Sequence, residues 1–143
     1  MDPFRLSELS AAGLLAQKAR IEAAAANLAH MHASSADAAG RYRPLSAVIR
    51  TVPAGFADAL RGAGAAMPTP HAQFIARADG ARRAYEPGHP HADADGIVSY
   101  PAVDPSQEML TVMTALRAYE ANLACLQATR SLAVRALEIG GRG

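Results

Sequence analysis

Residues 106–140, SQEMLTVMTALRAYEANLACLQATRSLAVRALEIG, decide the architecture of this chain. Within them Met109, Val112, Leu116, Tyr119, Leu123, Leu126, Arg130, Ala133 and Leu137 follow one another at alternating steps of three and four, and only Arg130 is neither apolar nor aromatic. Residues at such steps share one stripe of an α-helix. A helix over Ser106–Ile139 is about 50 Å long at 1.5 Å per residue. Globular helices usually run about 10–14 residues, so a stripe of this length cannot be covered inside one small compact domain. It requires a second long helix, in the same chain or in a neighbour.

The other end of the chain offers one. From Leu6 to His32 the residues Leu14, Gln17, Ile21, Ala24, Leu28 and Met31 repeat the same steps. Pro3 suits the entry to this helix, and Ser34, Ser35, Asp37 and Gly40 end it. Gly13 sits inside at a cost of about 1 kcal/mol relative to alanine, which a close approach of the partner helix would offset. Asn27 lies beside the stripe and is placed to set register, as buried asparagines do in coiled coils. Gln17, Arg130 and Tyr119 dilute the two stripes, so the helices are expected to order fully only within a larger assembly.

Between them, residues 41–101 are punctuated by proline and glycine, which permits only short elements. Leu45–Val52, Gln73–Arg77, Ala84–Glu86 and Gly96–Tyr100 read as short strands. Ala54–Ala66 reads as a flexible loop rich in alanine and glycine. The predicted fold is mainly α with a small β insertion: long N- and C-terminal helices pair as a coiled coil around a short, irregular, β-rich middle. The expected divisions are 1–35, an N-terminal axial helix; 36–102, the Pro/Gly-rich middle; and 103–143, a C-terminal axial helix.

Composition fits that picture. Half of the 143 residues are hydrophobic but only 5% are aromatic, and alanine accounts for much of the half. Alanine favours helix while removing little surface from water, so closely packed long helices suit it better than a thick core. The formal net charge is +1 with both signs interspersed, and no basic stripe argues for nucleic acid or a membrane surface. No stretch reaches the ~20 apolar residues of a transmembrane helix, and the N-terminus lacks the pattern of a signal peptide. The one cysteine, Cys125, cannot form an internal disulfide and reads as a small buried apolar residue.

Little here points to chemistry. His89-x-His91-x-Asp93-x-Asp95 alternates imidazole and carboxylate, the residue types that hold zinc. However, Pro87, Gly88, Pro90 and Gly96 make the segment a turn, in which Asp93 and Asp95 accept backbone N–H bonds. No nucleophile stands beside a base and no glycine-rich phosphate loop precedes a lysine. The reading is therefore non-enzymatic, without metal or cofactor. Arg117, Glu120 and Arg130 are helix-surface charges, either solvated or facing a neighbour.

Gly13-Leu14-Leu15-Ala16-Gln17, Arg20-Ile21 and Ala26-Asn27-Leu28-Ala29 resemble the N-terminal signature of flagellar rod, hook and related axial proteins. Tyr85-Glu86-Pro87-Gly88-His89-Pro90, Ala92-Asp93-Ala94-Asp95-Gly96, Tyr100-Pro101-Ala102-Val103-Asp104, Glu108-Met109 and Arg117-Ala118-Tyr119-Glu120-Ala121-Asn122 resemble proximal rod proteins of the FlgC family. The resemblance covers about residues 9–50 and 84–140. It implies a structural subunit of the bacterial flagellar basal-body rod, located in the periplasm and exported unfolded by a type III apparatus without a cleaved signal. Its partners would be copies of itself, other rod subunits and export or basal-body proteins, with no nucleic acid and no membrane insertion. The residues expected at the helix–helix and assembly seam are Leu14, Ile21, Asn27, Leu28, Met109, Val112, Leu116, Tyr119, Asn122, Leu123, Leu126 and Leu137. The rival readings are a soluble coiled-coil adaptor or chaperone of a type III secretion system, and a metal-binding module centred on His89 and His91.

Overall fold

The computed structural model describes residues 3–36, 40–52, 69–78 and 80–140. Helix α1 spans Pro3–His30 and helix α2 spans Pro105–Gly140. Pro105 occupies the first helical position, where its missing N–H costs nothing. Asp104 caps α2: its Oδ1 accepts from the N–H of Ser106 at 2.9 Å and of Gln107 at 3.4 Å. Such a cap satisfies donors that the first turn of a helix leaves open.

The two helices lie side by side and antiparallel. Gly13 sits against Asn122, and Asn27 meets Glu108, so advancing along α1 retreats along α2 by the same number of residues. The densest part of the contact is built from alanine: Ala19, Ala23 and Ala24 of α1 and Ala115 of α2 are nearly inaccessible to solvent. Small side chains let the helix axes approach, which is the packing that the composition favours. Helix α2 has 36 residues against 28 in α1, and its last turns carry Leu132, Val134, Leu137 and Ile139 exposed.

Between the two helices in chain order lie two separate antiparallel ribbons. Strand β1, Leu45–Val52, pairs with β2, Thr69–Ala76, from Leu45↔Ala76 to Val52↔Thr69. Strand β3, Ala81–Tyr85, pairs with β4, Ile97–Pro101, from Ala81↔Pro101 to Tyr85↔Ile97. The strand expected at Leu45–Val52 has those limits. Its partner begins at Thr69 rather than Gln73, because pairing with the whole of β1 extends it beyond the stretch rich in β-prone residues. The β3 strand ends at Tyr85, one residue before the expected end at Glu86. The expected loop Ala54–Ala66 lies outside the described residues. Among the described residues no helix is long and apolar enough to cross a membrane.

The turn from β3 to β4 is closed by its own backbone. The Glu86 N–H donates to the Gly96 carbonyl at 2.8 Å, and Gly96 has a φ of 75°. A Cβ at Gly96 would lie 3.0 Å from the Cβ of Pro87 and 3.1 Å from the Tyr85 ring, so both backbone and space require glycine there. Val98, Tyr100 and Pro101 of β4 are buried.

Candidate assembly interface

Asn27 is fully buried and uses the full capacity of its amide. Its Nδ2 donates to the Leu45 carbonyl at 2.9 Å and to Glu108 Oε1 at 3.1 Å. Its Oδ1 accepts from the Leu45 N–H at 2.7 Å and from the Tyr42 hydroxyl at 3.0 Å. One side chain on α1 thus fixes the start of β1 and the first turn of α2. Glu108, also buried, accepts from Arg77 Nη2 at 3.0 Å, while the Arg77 N–H donates to the Pro44 carbonyl at 2.7 Å. The base of the β1–β2 ribbon is thereby pinned to both helices. Burial pushes the Tyr42 phenol above its ordinary range, the Glu108 carboxylate adds to the rise, and Arg77 opposes it.

Sequence reasoning singled out Asn27 in this junction and missed Tyr42, Arg77 and Glu108. An arginine closing a strand and a glutamate in the first turn of a proline-opened helix were the available signals, and neither specifies its partner.

The seam residues divide. Leu14, Ile21 and Leu28 of α1 are half-buried, as are Val112, Tyr119, Asn122 and Leu126 of α2. Met109, Leu116, Leu123 and Leu137 are exposed, Leu116 by 45% and Leu123 by 38%. The buried row of α2 combines Val112, Tyr119, Leu126 and Ala133 with Glu108, Ala115, Asn122 and Thr129, again at steps of three and four. Small or polar residues fill five of the eight places in that row. Met109, Leu116 and Leu123 form a second, bulkier apolar row beside it, joined by the exposed Met113. A helix pair that buries one row and leaves another bare retains the capacity to pack against further helices.

The expected close approach at Gly13 is present: a Cβ there would lie 2.8 Å from Asn122 Nδ2. Cys125, read as a buried residue, is exposed, because its position on α2 falls outside the buried row.

The histidine-rich turn is occupied by its own hydrogen bonds. Asp93 Oδ1 accepts from the N–H groups of Asp95 at 3.0 Å and Ile97 at 2.8 Å. His89 Nδ1 accepts from the His91 N–H at 3.0 Å, and His91 Nδ1 pairs with Ser34 Oγ at 3.0 Å. Among the described residues no three His, Cys, Asp or Glu side chains are grouped to hold a metal ion. The Tyr100 hydroxyl donates to Glu86 Oε2 at 2.9 Å, which raises the phenol pKa, and the Arg82 guanidinium lies 5.1 Å from the ring centre.

Comparison with known proteins gives a consistent result. A family model for the C-terminal part of flagellar basal body rod FlgEFG proteins matches residues 94–139. The flagellar basal-body rod protein FlgC of Bacillus subtilis is 32% identical over 149 residues, covering 98% of this chain and 99% of that protein. The FlgC of Aquifex aeolicus is 30% identical over 96% of this chain and 97% of its own length. The FlgC of Salmonella typhimurium is 32% identical with the same coverage.

Proposed function

The chain belongs to the FlgC family of flagellar basal-body rod proteins, and on that premise we propose that its terminal helices build the wall of a helical tube. The protein is a structural subunit of the rod and not an enzyme. In this reading residues 1–35 and 103–143 form the axial layer, and residues 36–102 decorate it. The subunit reaches the periplasm through a type III apparatus without a cleaved signal, and in the assembled rod the helices wind as a coiled coil and transmit torque. Its neighbours are further copies and other rod or basal-body proteins. The relatives lend nothing to the adaptor or chaperone reading.

The observation that carries the assembly reading is the second apolar row on α2. Met109, Met113, Leu116 and Leu123 are exposed along one side of a helix whose adjacent side is already packed on α1. Exposed apolar rows of this kind mark contact surfaces, and unlike patches that do not close a ring propagate into helical assemblies. The test is Leu123→Asp in a strain that carries only this variant: assembly fails because the seam cannot bury an unpaired charge. Normal motility in that strain would contradict the proposal.

A further inference from the structure

The two outer edges of the β1–β2 ribbon are unequal. The Arg77 N–H donates to the Pro44 carbonyl just beyond the pair Leu45↔Ala76, so the peptide groups of that pair point away from each other, toward the outer edges. Hydrogen bonding alternates along an antiparallel ladder, and Ala72 and Phe74 therefore share the outward setting of Ala76 on β2. On β1 the outward groups of Leu45 are taken by the amide of Asn27. On β2 no described residue bonds the outward N–H and carbonyl groups of Ala72, Phe74 and Ala76. Residues 71–76 are exposed at every position. Native edges are ordinarily blunted by charge, proline or a bulge. Here Thr69–Ala76 holds no Lys, Arg, Asp or Glu, its register with β1 has no bulge, and its proline, Pro70, stands beside its start.

We propose that this edge takes the same edge of a second copy, the two β2 strands pairing antiparallel about a two-fold axis at Phe74. Phe74 then faces its own counterpart, and Ala72 faces the Ala76 of the second copy. Each such pair exchanges two N–H···O=C bonds, because these are the residues whose peptide groups point outward. Pro70, which has no N–H to give, falls opposite Ala78, beyond the end of β2. Ala72, Phe74 and Ala76 share a face with Leu45, Ala47 and Ile49 across the ladder, so pairing doubles an apolar face on which Phe74 is 44% and Ile49 38% exposed. The two ribbons become one four-stranded sheet, which holds where a lone hairpin is marginal in water. A second copy fits because β2 meets its own requirement: a neutral strand whose apolar residues and outward peptide groups fall at the same alternate positions. A two-fold pair closes on itself and cannot extend a tube. The inference thus describes the free chain and stands apart from the rod reading.

Sedimentation of the purified full chain between about 1 μM and about 1 mM tests it, and the parent is expected to pass from monomer to dimer across that range. Ala72→Pro removes an outward N–H and leaves the β1–β2 ladder whole. Phe74→Lys sets two like charges face to face on the axis. Both are expected to weaken dimerisation roughly tenfold or more with an unchanged circular dichroism spectrum. In a Cys125→Ser background, Phe74→Cys is expected to form an intermolecular disulfide far faster than Arg50→Cys on β1, since a hydrogen-bonded antiparallel pair sets its Cα atoms about 5.5 Å apart, within disulfide reach. That gain of a bond reads the contact even where a proline or lysine unfolds the ribbon. A parent that stays monomeric throughout would overturn the proposal, as would equal rates of cross-linking at positions 74 and 50. So would a dimer that survives Ala72→Pro and Phe74→Lys but is lost in Leu116→Asp, which places the contact on α2.

Discussion

Gly13 and Asn122 face each other across the helix pair so closely that a Cβ on the glycine would lie 2.8 Å from Asn122 Nδ2 and 3.0 Å from its Cγ. Alanine in place of glycine inside a helix ordinarily gains about 1 kcal/mol. Here the gain is offset by the Asn122 side chain, which must shift to make room for the added methyl. Gly13→Ala is expected to destabilise the chain by about 1 kcal/mol, and the same change beside Asn122→Ala to stabilise it by a similar amount. A double-mutant cycle by urea unfolding reads the coupling directly.

Asn27 carries the junction of α1, β1 and α2, and its removal leaves several buried groups without partners at once. Asn27→Ala orphans the N–H and carbonyl of Leu45 and one bond to Glu108, a loss of about 3 kcal/mol. Asn27→Asp keeps the shape but sets a carboxylate against Glu108, 3.1 Å from the replaced nitrogen. That variant is expected to be less stable than Asn27→Ala at neutral pH and to recover partly in mild acid, where one of the two carboxyls takes up a proton. Thermal melts across pH separate the two variants.

How far the sequence discloses all this depends on what a periodic pattern can carry. Steps of three and four located both helices, because a stripe of that length has no other use. The same steps could not choose between Met109, Leu116, Leu123 and the row one residue earlier, Glu108, Ala115, Asn122. Side-chain bulk points to the first row. The chain packs the second on α1, because the alanines and Gly13 bring the helices too close for leucine, and because Glu108 has hydrogen-bond partners waiting. Close packing between small residues depends on both surfaces at once, and a single stripe shows only one. The β1 strand was legible from its β-branched residues, whereas the full length of β2 came from pairing. The Tyr42–Asn27–Glu108–Arg77 network joins residues from four places in the chain, and no local pattern encodes it.

Arg77 and Glu108 form an ion pair in which the carboxylate is buried and the guanidinium is about one-third exposed, with side-chain exposures of 6% and 33%. Removing the arginine strands a buried charge, whereas neutralising the glutamate leaves a group that still accepts a hydrogen bond. Arg77→Ala is expected to cost about 2 kcal/mol and Glu108→Gln distinctly less. Chemical denaturation of the two variants under identical conditions checks the order, and equal losses would contradict it.

Tyr42 and Tyr100 make stability fall in alkali. Both phenols are raised above 10.0, Tyr42 mainly by burial and Tyr100 mainly by its hydrogen bond to Glu86. Each holds its proton more tightly in the folded chain than in the unfolded one. Their contribution is therefore fully present below 10.0 and is lost as the pH climbs through the higher folded values. The variant carrying Tyr42→Phe and Tyr100→Phe is expected to start less stable at neutral pH, having lost two hydroxyl bonds, but to decline less steeply in alkali. The slope of Tm against pH on the alkaline side measures the difference.

Leu116 and Ala115 are neighbours on α2 with opposite fates, one 45% exposed and the other 1%. A charge at Ala115 enters the tightest part of the helix pair, and Ala115→Asp is expected to cost several kcal/mol, about 3 or more, so that the purified chain loses helicity. A charge at Leu116 stays in water while the chain is alone. Leu116→Asp should leave the circular dichroism spectrum of the purified protein unchanged and its unfolding free energy within about 0.5 kcal/mol of the parent. If the row formed by Met109, Met113, Leu116 and Leu123 is covered in the rod, that well-folded variant is nevertheless absent from isolated basal bodies. The two measurements together distinguish a residue that holds the subunit together from one that joins it to the next: a Leu116→Asp chain recovered in basal bodies at the parental level would mean that this row faces solvent in the rod, and the neighbouring helix would then have to lie against another side of α2.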